Sequence, residues 1–356
     1  MERLSEKEWK ECDLSTVYDF DLAKGDIQLK KALPGHTPLV SAGFSDNGVV
    51  GFIETDTSSD VFSGNKLTID MFGQPFYQPA PFQSVSHGRV NILSGGCISD
   101  AVNMFIVPCV KAGTASKYSY NQMCSQKRLQ RQKVMLPVDD KGNPDYAYMT
   151  LYSTEVRGGM LMRYKNFIAG QLSQLEHKDI PALDEKKWDE FVLDDIFTVG
   201  AGKRLETRNK VEGNRPFIGA TDNGNGVTGF VGNDNTSKDS NVLGVNYNGA
   251  PCIAFYHPYE CIFTDDVKRL HLKNQEDNKF VLLFFTSIFA MQRVKYSYGY
   301  KFKEKRMHRQ KLMLPVTDTG KPDYEYMEQY AKNMMLRKYE QYLAFIDRQS
   351  AAEAQD

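Results

Sequence analysis

No apolar run in this 356-residue chain approaches the roughly 18 residues that a membrane-spanning helix needs. The N-terminus, Met1 to Lys10, is charged from its first residues and has no apolar core of the secretory kind, so a cytoplasmic location is expected. Cys12, Cys97, Cys109, Cys124, Cys252 and Cys261 form no CxxC pair and share no spacing between the two halves. That scatter excludes a disulfide framework and a structural zinc site, and predicts free, mostly buried thiols. A large charge of one sign is also missing, since the formal net charge is -1. Net charge is a poor guide to nucleic-acid binding when the charges are segregated, so the local pattern has to decide.

Catalytic signatures are missing too. Gly200-Ala201-Gly202-Lys203-Arg204 hints at a phosphate loop, but that pattern needs a glycine where Phe197 stands and Ser or Thr where Arg204 stands. There is no GxGxxG opening a strand–turn–helix unit and no HExxH. Pro144-Asp145 and Pro322-Asp323 invite comparison with magnesium-dependent nuclease sites, yet neither is followed by an acidic-x-Lys strand. They read instead as a turn and a helix N-cap. No Pro-Pro occurs anywhere, which removes the base-holding loop of the amino-group DNA methyltransferases. The six histidines sit at unmatched positions. A duplicated enzyme would keep its catalytic groups in at least one copy. The sequence therefore predicts a non-enzyme with no catalytic residue, no metal site and no cofactor of its own.

What is present is a duplication. Arg128 to Met149 recurs as Arg306 to Met327, with about 15 of 22 positions identical. Lys117-Tyr118-Ser119-Tyr120 recurs as Lys295-Tyr296-Ser297-Tyr298 at the same offset. Weaker echoes lie upstream: Trp9 with Trp188, Asn47-Gly48 with Asn225-Gly226, and Phe76-Tyr77-Gln78-Pro79 with Phe255-Tyr256-His257-Pro258. The chain is two copies of one unit, roughly 1–170 and 180–348.

Each copy opens on a Trp-led segment and continues through short apolar stretches punctuated by turn residues, a β-rich pattern. A strand such as Lys133 to Val138 then leads through a turn to Asp145 or Asp323, both suited to cap a helix. The expected boundaries are a first globule over 1–144, a helix over 145–169, a connector over 170–187, a second globule over 188–322, a helix over 323–347 and a frayed tail over 348–356. In the second helix Tyr326, Tyr330, Met334 and Tyr339 through Phe345 recur at helical spacing. The first carries Met149, Tyr152, Val156 and Tyr164, interrupted by Gly158-Gly159. The fold class expected is mixed α/β (α+β), each half β-rich with a long closing helix that suits a spacer.

The shared block is basic and aromatic. Between Lys117 and Lys133 there are five Lys/Arg and no acid; between Arg293 and Lys311 there are eight against the single Glu304. Lysine and arginine in such stretches neutralise phosphates while Arg, Gln and Asn read base edges. The competing interpretation is a solvated hairpin face whose tyrosines pack inward, and recurrence in register weighs against it. The candidate DNA contacts are Lys117, Tyr118, Tyr120, Lys127 and Arg128 in the first copy. In the second they are Lys203, Arg204, Lys295, Tyr298, Lys301, Lys305 and Arg306. A second basic cluster, Lys203 to Lys210, has a weaker counterpart in Lys24, Lys30 and Lys31, and the Asn-Gly pairs read as turns. The copies differ most in their loops, as two readers with a common mount and different targets would.

Gly202-Lys203-Arg204-Leu205 after a Trp-led segment and Ile218 to Gly224 with Gly229-Phe230 carry a resemblance. So do Asn246 to Gly249 with Ala254 to Pro258, Lys295 to Gly299, and Met313 to Val316 leading into a helix. Over nearly its whole length the chain resembles the specificity (S) subunits of Type I restriction–modification systems and the similar subunits of Type IIB systems. In the first copy the Gly-Lys-Arg-Leu element is reduced to Lys24-Gly25-Asp26. The resemblance implies two target recognition domains joined by helices that pack as an antiparallel coiled coil, each domain reading one half of a split DNA site. It implies DNA adenine methyltransferase subunits as partners, which would bring S-adenosylmethionine, and a restriction or translocase subunit as a further partner. Little chain beyond the second helix leans the resemblance toward the Type IIB-like group. Two rivals stay open at this point: a stand-alone DNA-modifying enzyme, and a duplicated β-rich module for a polysaccharide or protein ligand.

Overall fold

The computed structural model describes residues 2–23, 27–85, 90–96, 98–296 and 300–353, with side chains up to Arg348. The chain divides into two compact units, Met1–Tyr164 and Lys165–Asp356, both of mixed α/β structure. The division falls inside a helix rather than in the polar connector.

In the second unit the strand Trp188–Val192 pairs antiparallel with Lys311–Pro315, Trp188 standing opposite Pro315. The ribbon thus joins the beginning of the globule to its end. Four antiparallel strands follow in the order Phe197–Ala201, Val267–Leu272, Val242–Asn246, Ala254–His257. A smaller sheet places Arg215–Ile218 between Val227–Val231 and Ile262–Phe263, the last pair parallel. The helix Lys279–Met291 begins where the Asn278 side chain accepts from the amides of Phe280 and Val281 at 2.8 and 3.3 Å. Its Val281, Leu282, Phe285, Ile288 and Phe289 recur at helical spacing and are buried, with Phe285 edge-on to Phe197 at 4.7 Å. The Trp188 ring stacks near Phe284, and its indole N–H donates to the Leu183 carbonyl at 2.8 Å.

The first unit repeats this plan. Trp9–Asp13 pairs with Lys133–Pro137, and the Trp9 indole donates to the Leu4 carbonyl at 3.0 Å. The helix Asp100–Thr114 is capped by Ser99, whose hydroxyl accepts from the Val102 amide, and Phe105 stacks on Trp9. The unit holds two four-stranded sheets, and the one ordered Asp19–Leu22, Asn91–Ser94, Lys66–Ile69, Pro75–Gln78 packs on this helix.

One pair of repeated positions has changed in concert. In the first unit Gln78 is buried and its amide donates to the Thr68 hydroxyl (3.0 Å) and the Asn47 carbonyl (2.9 Å). The second unit has His257 in place of Gln78 and Gly244 in place of Thr68. The imidazole is fully buried, and burial pushes its pKa down to about 4, so the ring is neutral. Gly244 makes that ring possible, because a Cβ there would stand 2.9 Å from Nε2. Gly244→Thr should therefore destabilise the second unit by about 1–3 kcal/mol. Adding His257→Gln should recover part of the loss, a coupling of about 0.5–3 kcal/mol in a double-mutant cycle followed by urea unfolding. Strict additivity would show that the two positions do not share one space.

The long helices are Tyr146–Leu172 and Tyr324–Glu353. Asp145 and Asp323 cap them as expected, accepting from the amides of Tyr148 (2.9 Å) and Tyr326 (3.0 Å). Three details differ from expectation. Gly158-Gly159 do not interrupt the first helix, since a flanking helix of this length absorbs the roughly 1 kcal/mol that each costs. The second helix continues through residues 348–353, which had been expected to fray, and 354–356 lie outside the described residues. Of the apolar stripe on the first helix, Met149 and Tyr152 pack on the core whereas Val156 is exposed. Within the second unit the connector runs beside the second helix. Gln329 donates to the Glu176 carbonyl, Asn333 to that of Lys178 and the Tyr326 hydroxyl to that of Pro181, at 2.8, 2.7 and 2.9 Å.

Candidate nucleic-acid interface

The loop carrying Lys203 and Arg204 is set by a glycine. Strand Phe197–Ala201 delivers Gly202 onto the turn between Thr264 and Val267, where its amide donates to the Val267 carbonyl at 3.2 Å. The next amide, of Lys203, donates to the Phe263 carbonyl at 2.8 Å. A Cβ on Gly202 would lie 1.9 Å from the Thr264 carbonyl oxygen, so only glycine allows this crossing. Both Lys203 and Arg204 are consequently exposed. Beneath them Arg269 donates to the Ala201 carbonyl at 3.1 Å and pairs with Asp239 at 2.8 Å. Asp239 also meets His271 Nε2 at 3.0 Å, and Asp277 meets Nδ1 at 2.6 Å. The hydrogen bond to Asp277, against the opposing pull of burial and helped by Asp239, raises the His271 pKa to about 9. Two carboxylates thus face two cations. The cluster props the loop and adds no net charge to it.

The basic, aromatic segment follows the helix Lys279–Met291. Lys295, Tyr296, Tyr300, Arg306, Arg309 and Lys311 line one open cleft of about 740 Å³, together with Gln292, Gln310, Met313 and Glu190. The Tyr296 hydroxyl donates to Gln310, whose main-chain carbonyl holds the Leu193 amide at 2.7 Å. Tyr300 stacks on Tyr296 at 5.8 Å between centroids, and the Arg306 guanidinium lies 3.9 Å from the Tyr300 ring centre. Arg306 also donates to the Lys301 carbonyl at 2.7 Å. Lys305 is exposed on the short helix Glu304–His308, and Lys301 is half-buried. Glu304, the acid of this stretch, is held in its charged form by Lys268 at 2.7 Å. Tyr298 lies outside the described residues.

In the first unit Lys117 and Tyr120 are exposed, Tyr120 to 70 %, and Lys127 and Arg128 project from the short helix Gln126–Leu129. Tyr118 is different. Its ring packs against the core and its hydroxyl donates to Gln132 at 3.1 Å, with burial pushing its pKa up to about 12. It pins the segment rather than offering a surface, as does its counterpart Tyr296. Lys24 lies outside the described residues, while Lys30 and Lys31 are exposed. The structure gathers Lys295 and Arg306 in the cleft; Lys203 and Arg204 do not line it. Tyr300, Arg309 and Lys311, part of the basic, aromatic stretch but not among the candidate contacts, line it as well. The signal was available for the two cations, which the duplicated block repeats.

The Asn-Gly turns are structural. Asn47 and Asn225 have φ of 56° and 53°, the left-handed region asparagine tolerates. Their side-chain amides donate to the Tyr77 carbonyl (2.6 Å) and the Tyr259 hydroxyl (3.1 Å). Among the described residues no cluster of His, Cys, Asp and Glu could hold a metal ion, and no helix is long and apolar enough to cross a membrane. The five described cysteines are unbridged; Cys97 lies outside the described residues.

Comparison with known proteins adds the following. Residues 6–156 and 185–342 each match the "Type I restriction modification DNA specificity domain". A specificity subunit of a Type II restriction enzyme, S.BcgI of Heyndrickxia coagulans, is 36% identical over 321 residues, spanning 87% of this chain and 91% of that protein. The S subunit of a Type I restriction–modification system from M. genitalium aligns over 100% of this chain and 96% of its own. That alignment has 14% identity and a TM-score of 0.47. The HsdS subunit of Thermoanaerobacter tengcongensis aligns over 96% and 91%, with 11% identity and a TM-score of 0.33.

Proposed function

The chain belongs to the Type I restriction modification DNA specificity domain family, with one domain in each unit, and from this membership we propose how its residues divide the work. It is the non-catalytic specificity subunit of a restriction–modification complex and recognises DNA sequence. The first unit reads one half-site and the second the other. Their loops diverge while their mounts agree, so the target is bipartite and asymmetric. The observation that supports this most directly is the recurrence, in both units, of one exposed basic segment on one ribbon and helix mount.

Lys117, Tyr120, Lys127 and Arg128, and Lys203, Arg204, Lys295, Tyr298, Lys301, Lys305 and Arg306, are assigned to the DNA face, with Tyr118 behind them as a pin. The long helices set the spacer between half-sites by packing as an antiparallel coiled coil, and they offer the docking surface for DNA adenine methyltransferase subunits. Leu151, Met160, Met162 and Phe167 on the first helix are 55–66 % exposed, Leu151 and Met162 on one side of it and Met160 and Phe167 on the other, exposed apolar side chains of the kind that partners cover. S-adenosylmethionine belongs to that partner, and the assembly works in the cytoplasm.

The test is to purify the chain with its methyltransferase and select bound sequences from a random duplex pool. A split motif is expected; no sequence preference would refute the reading. Within that complex, reversing the charges of Lys295, Lys301 and Arg306 to glutamate should weaken binding to every duplex by about tenfold or more at low salt. Unchanged affinity would remove this patch from the DNA face.

A further inference from the structure

The block repeated most faithfully carries a charge pattern that the loops do not. Lys117, Arg128, Arg131 and Lys133 recur as Lys295, Arg306, Arg309 and Lys311 at one constant offset. Their surroundings recur as well. Arg128 donates to the Met123 carbonyl at 2.8 Å, as Arg306 does to that of Lys301 at 2.7 Å. Lys133 meets Glu11 at 3.4 Å, as Lys311 meets Glu190 at 2.6 Å. An arginine has five N–H donors, so the bond that fixes each guanidinium leaves others for a ligand.

Two domains that read different bases have no reason to share base contacts. What the two half-sites do share is the sugar-phosphate backbone. In the second unit Glu190 is the sole acid among the described residues that line the cleft, and Lys311 already neutralises it. Lys295, Arg306 and Arg309 are left as a cationic pocket open to solvent. Arg309 is fixed like the others, its Nε donating to the Lys305 carbonyl at 3.1 Å.

Resting on the DNA-reading function above, we propose that these two cation sets are phosphate clamps, one per domain, that grip the DNA backbone whatever its sequence, and that the second clamp is the stiffer. The stiffness comes from Tyr300. It holds Arg306 against its ring and is itself stacked on Tyr296, whereas the equivalent position in the first unit is Gln122. A guanidinium already held in place loses less freedom when it binds. The assignment adds Arg131, Arg309 and Tyr300 to the functional residues, with Tyr300 as a positioning residue.

The experiment uses the full chain and fluorescein-labelled 30-base-pair duplexes of several unrelated sequences, with affinity measured against KCl concentration. Each of Arg306→Ala, Arg309→Ala, Arg128→Ala and Arg131→Ala should lower the slope of log affinity against log salt by about 1. The loss should be the same factor on every duplex. Arg306→Ala should cost more affinity than Arg128→Ala, and Tyr300→Gln should reduce the difference without changing the slope. Variants that melt like the parent yet keep its slope overturn the clamps, as does a loss confined to one sequence. Equal losses at Arg128 and Arg306 overturn the stiffer second clamp. A parent chain that binds no duplex at low salt sinks the DNA reading itself, an outcome distinct from parent binding that the variants leave untouched.

Discussion

Gly202→Ala is expected to destabilise the second unit by about 3 kcal/mol and to displace Lys203 and Arg204 together. The new methyl would stand 1.9 Å from the Thr264 carbonyl oxygen, a backbone atom that cannot swing aside. Relief requires the strand end to move, which breaks the hydrogen bonds that the amides of Gly202 and Lys203 donate to the carbonyls of Val267 and Phe263. Each such bond contributes about 1 kcal/mol net, and residual overpacking adds about 1–3 kcal/mol. Urea unfolding of the full chain measures the loss, and two transitions are expected, with only the one that belongs to the second unit moved. Ala201→Gly, one residue upstream and free of the clash, is the control. A Gly202→Ala chain with parental stability and parental DNA affinity would mean that the loop does not depend on this crossing.

Asp323→Ala should cost about 2–3 kcal/mol, between the small value of an exposed ion pair and the larger one of a buried pair, with a lost helix cap added. Three contacts converge on this carboxylate. Lys186 sits at 2.7 Å, the Tyr326 amide donates to it at 3.0 Å, and the Lys186 ammonium in turn lies 4.9 Å from the Tyr326 ring centre. Burial resists ionisation of Asp323, but the hydrogen bonds from Lys186 and Tyr326 and the Lys186 charge outweigh it, so its pKa is lowered. A lowered folded-state pKa gives stability that is present above about pH 4, the unfolded value, and lost as pH falls through the folded one. The gap between parent and Asp323→Ala should therefore be full at pH 7 and shrink progressively below pH 4 in thermal melts. A gap independent of pH would assign the loss to packing. The first unit builds the same pin from Lys7, Asp145 and Tyr148.

Much of this arrangement was legible in the sequence because it rests on local rules. Asp145 and Asp323 announced the helices because a carboxylate three residues before an amide in the first turn is a cap. The paired tryptophans marked where each unit opens, but not that the opening segment pairs with the strand that closes it. Non-local facts stayed hidden. Nothing in the order of residues says that Tyr118 turns inward to Gln132 while Tyr120 stays exposed, because alternation in an irregular segment has no fixed period. The stack of Arg306 on Tyr300 was equally invisible, for it is a contact between residues six apart that no helical or strand period brings together. The end of the second helix was set too early, since a polar C-terminal stretch can remain helical without an apolar stripe. Among the candidate cations in the repeated stretch, Lys117, Lys127, Arg128, Lys295 and Lys305 are exposed while Lys301 and Arg306 are half-buried, and the tyrosines needed coordinates to be sorted.

Each globule begins and ends on one ribbon. Trp188–Val192 lies beside Lys311–Pro315, and Trp9–Asp13 beside Lys133–Pro137, so the sheets, helix and loops between them form a segment closed at its own base. The helix that follows is held by the ribbon, by the aspartate pin and by the inner helix it packs on, with Tyr152 edge-on to Phe105 and Tyr330 edge-on to Phe284. A segment so bounded behaves as a cassette. It can accumulate substitutions, insertions or a wholesale exchange with another sequence, provided its two ends still meet in antiparallel register. Separation of mount from contents lets the enclosed segment change without rebuilding the scaffold.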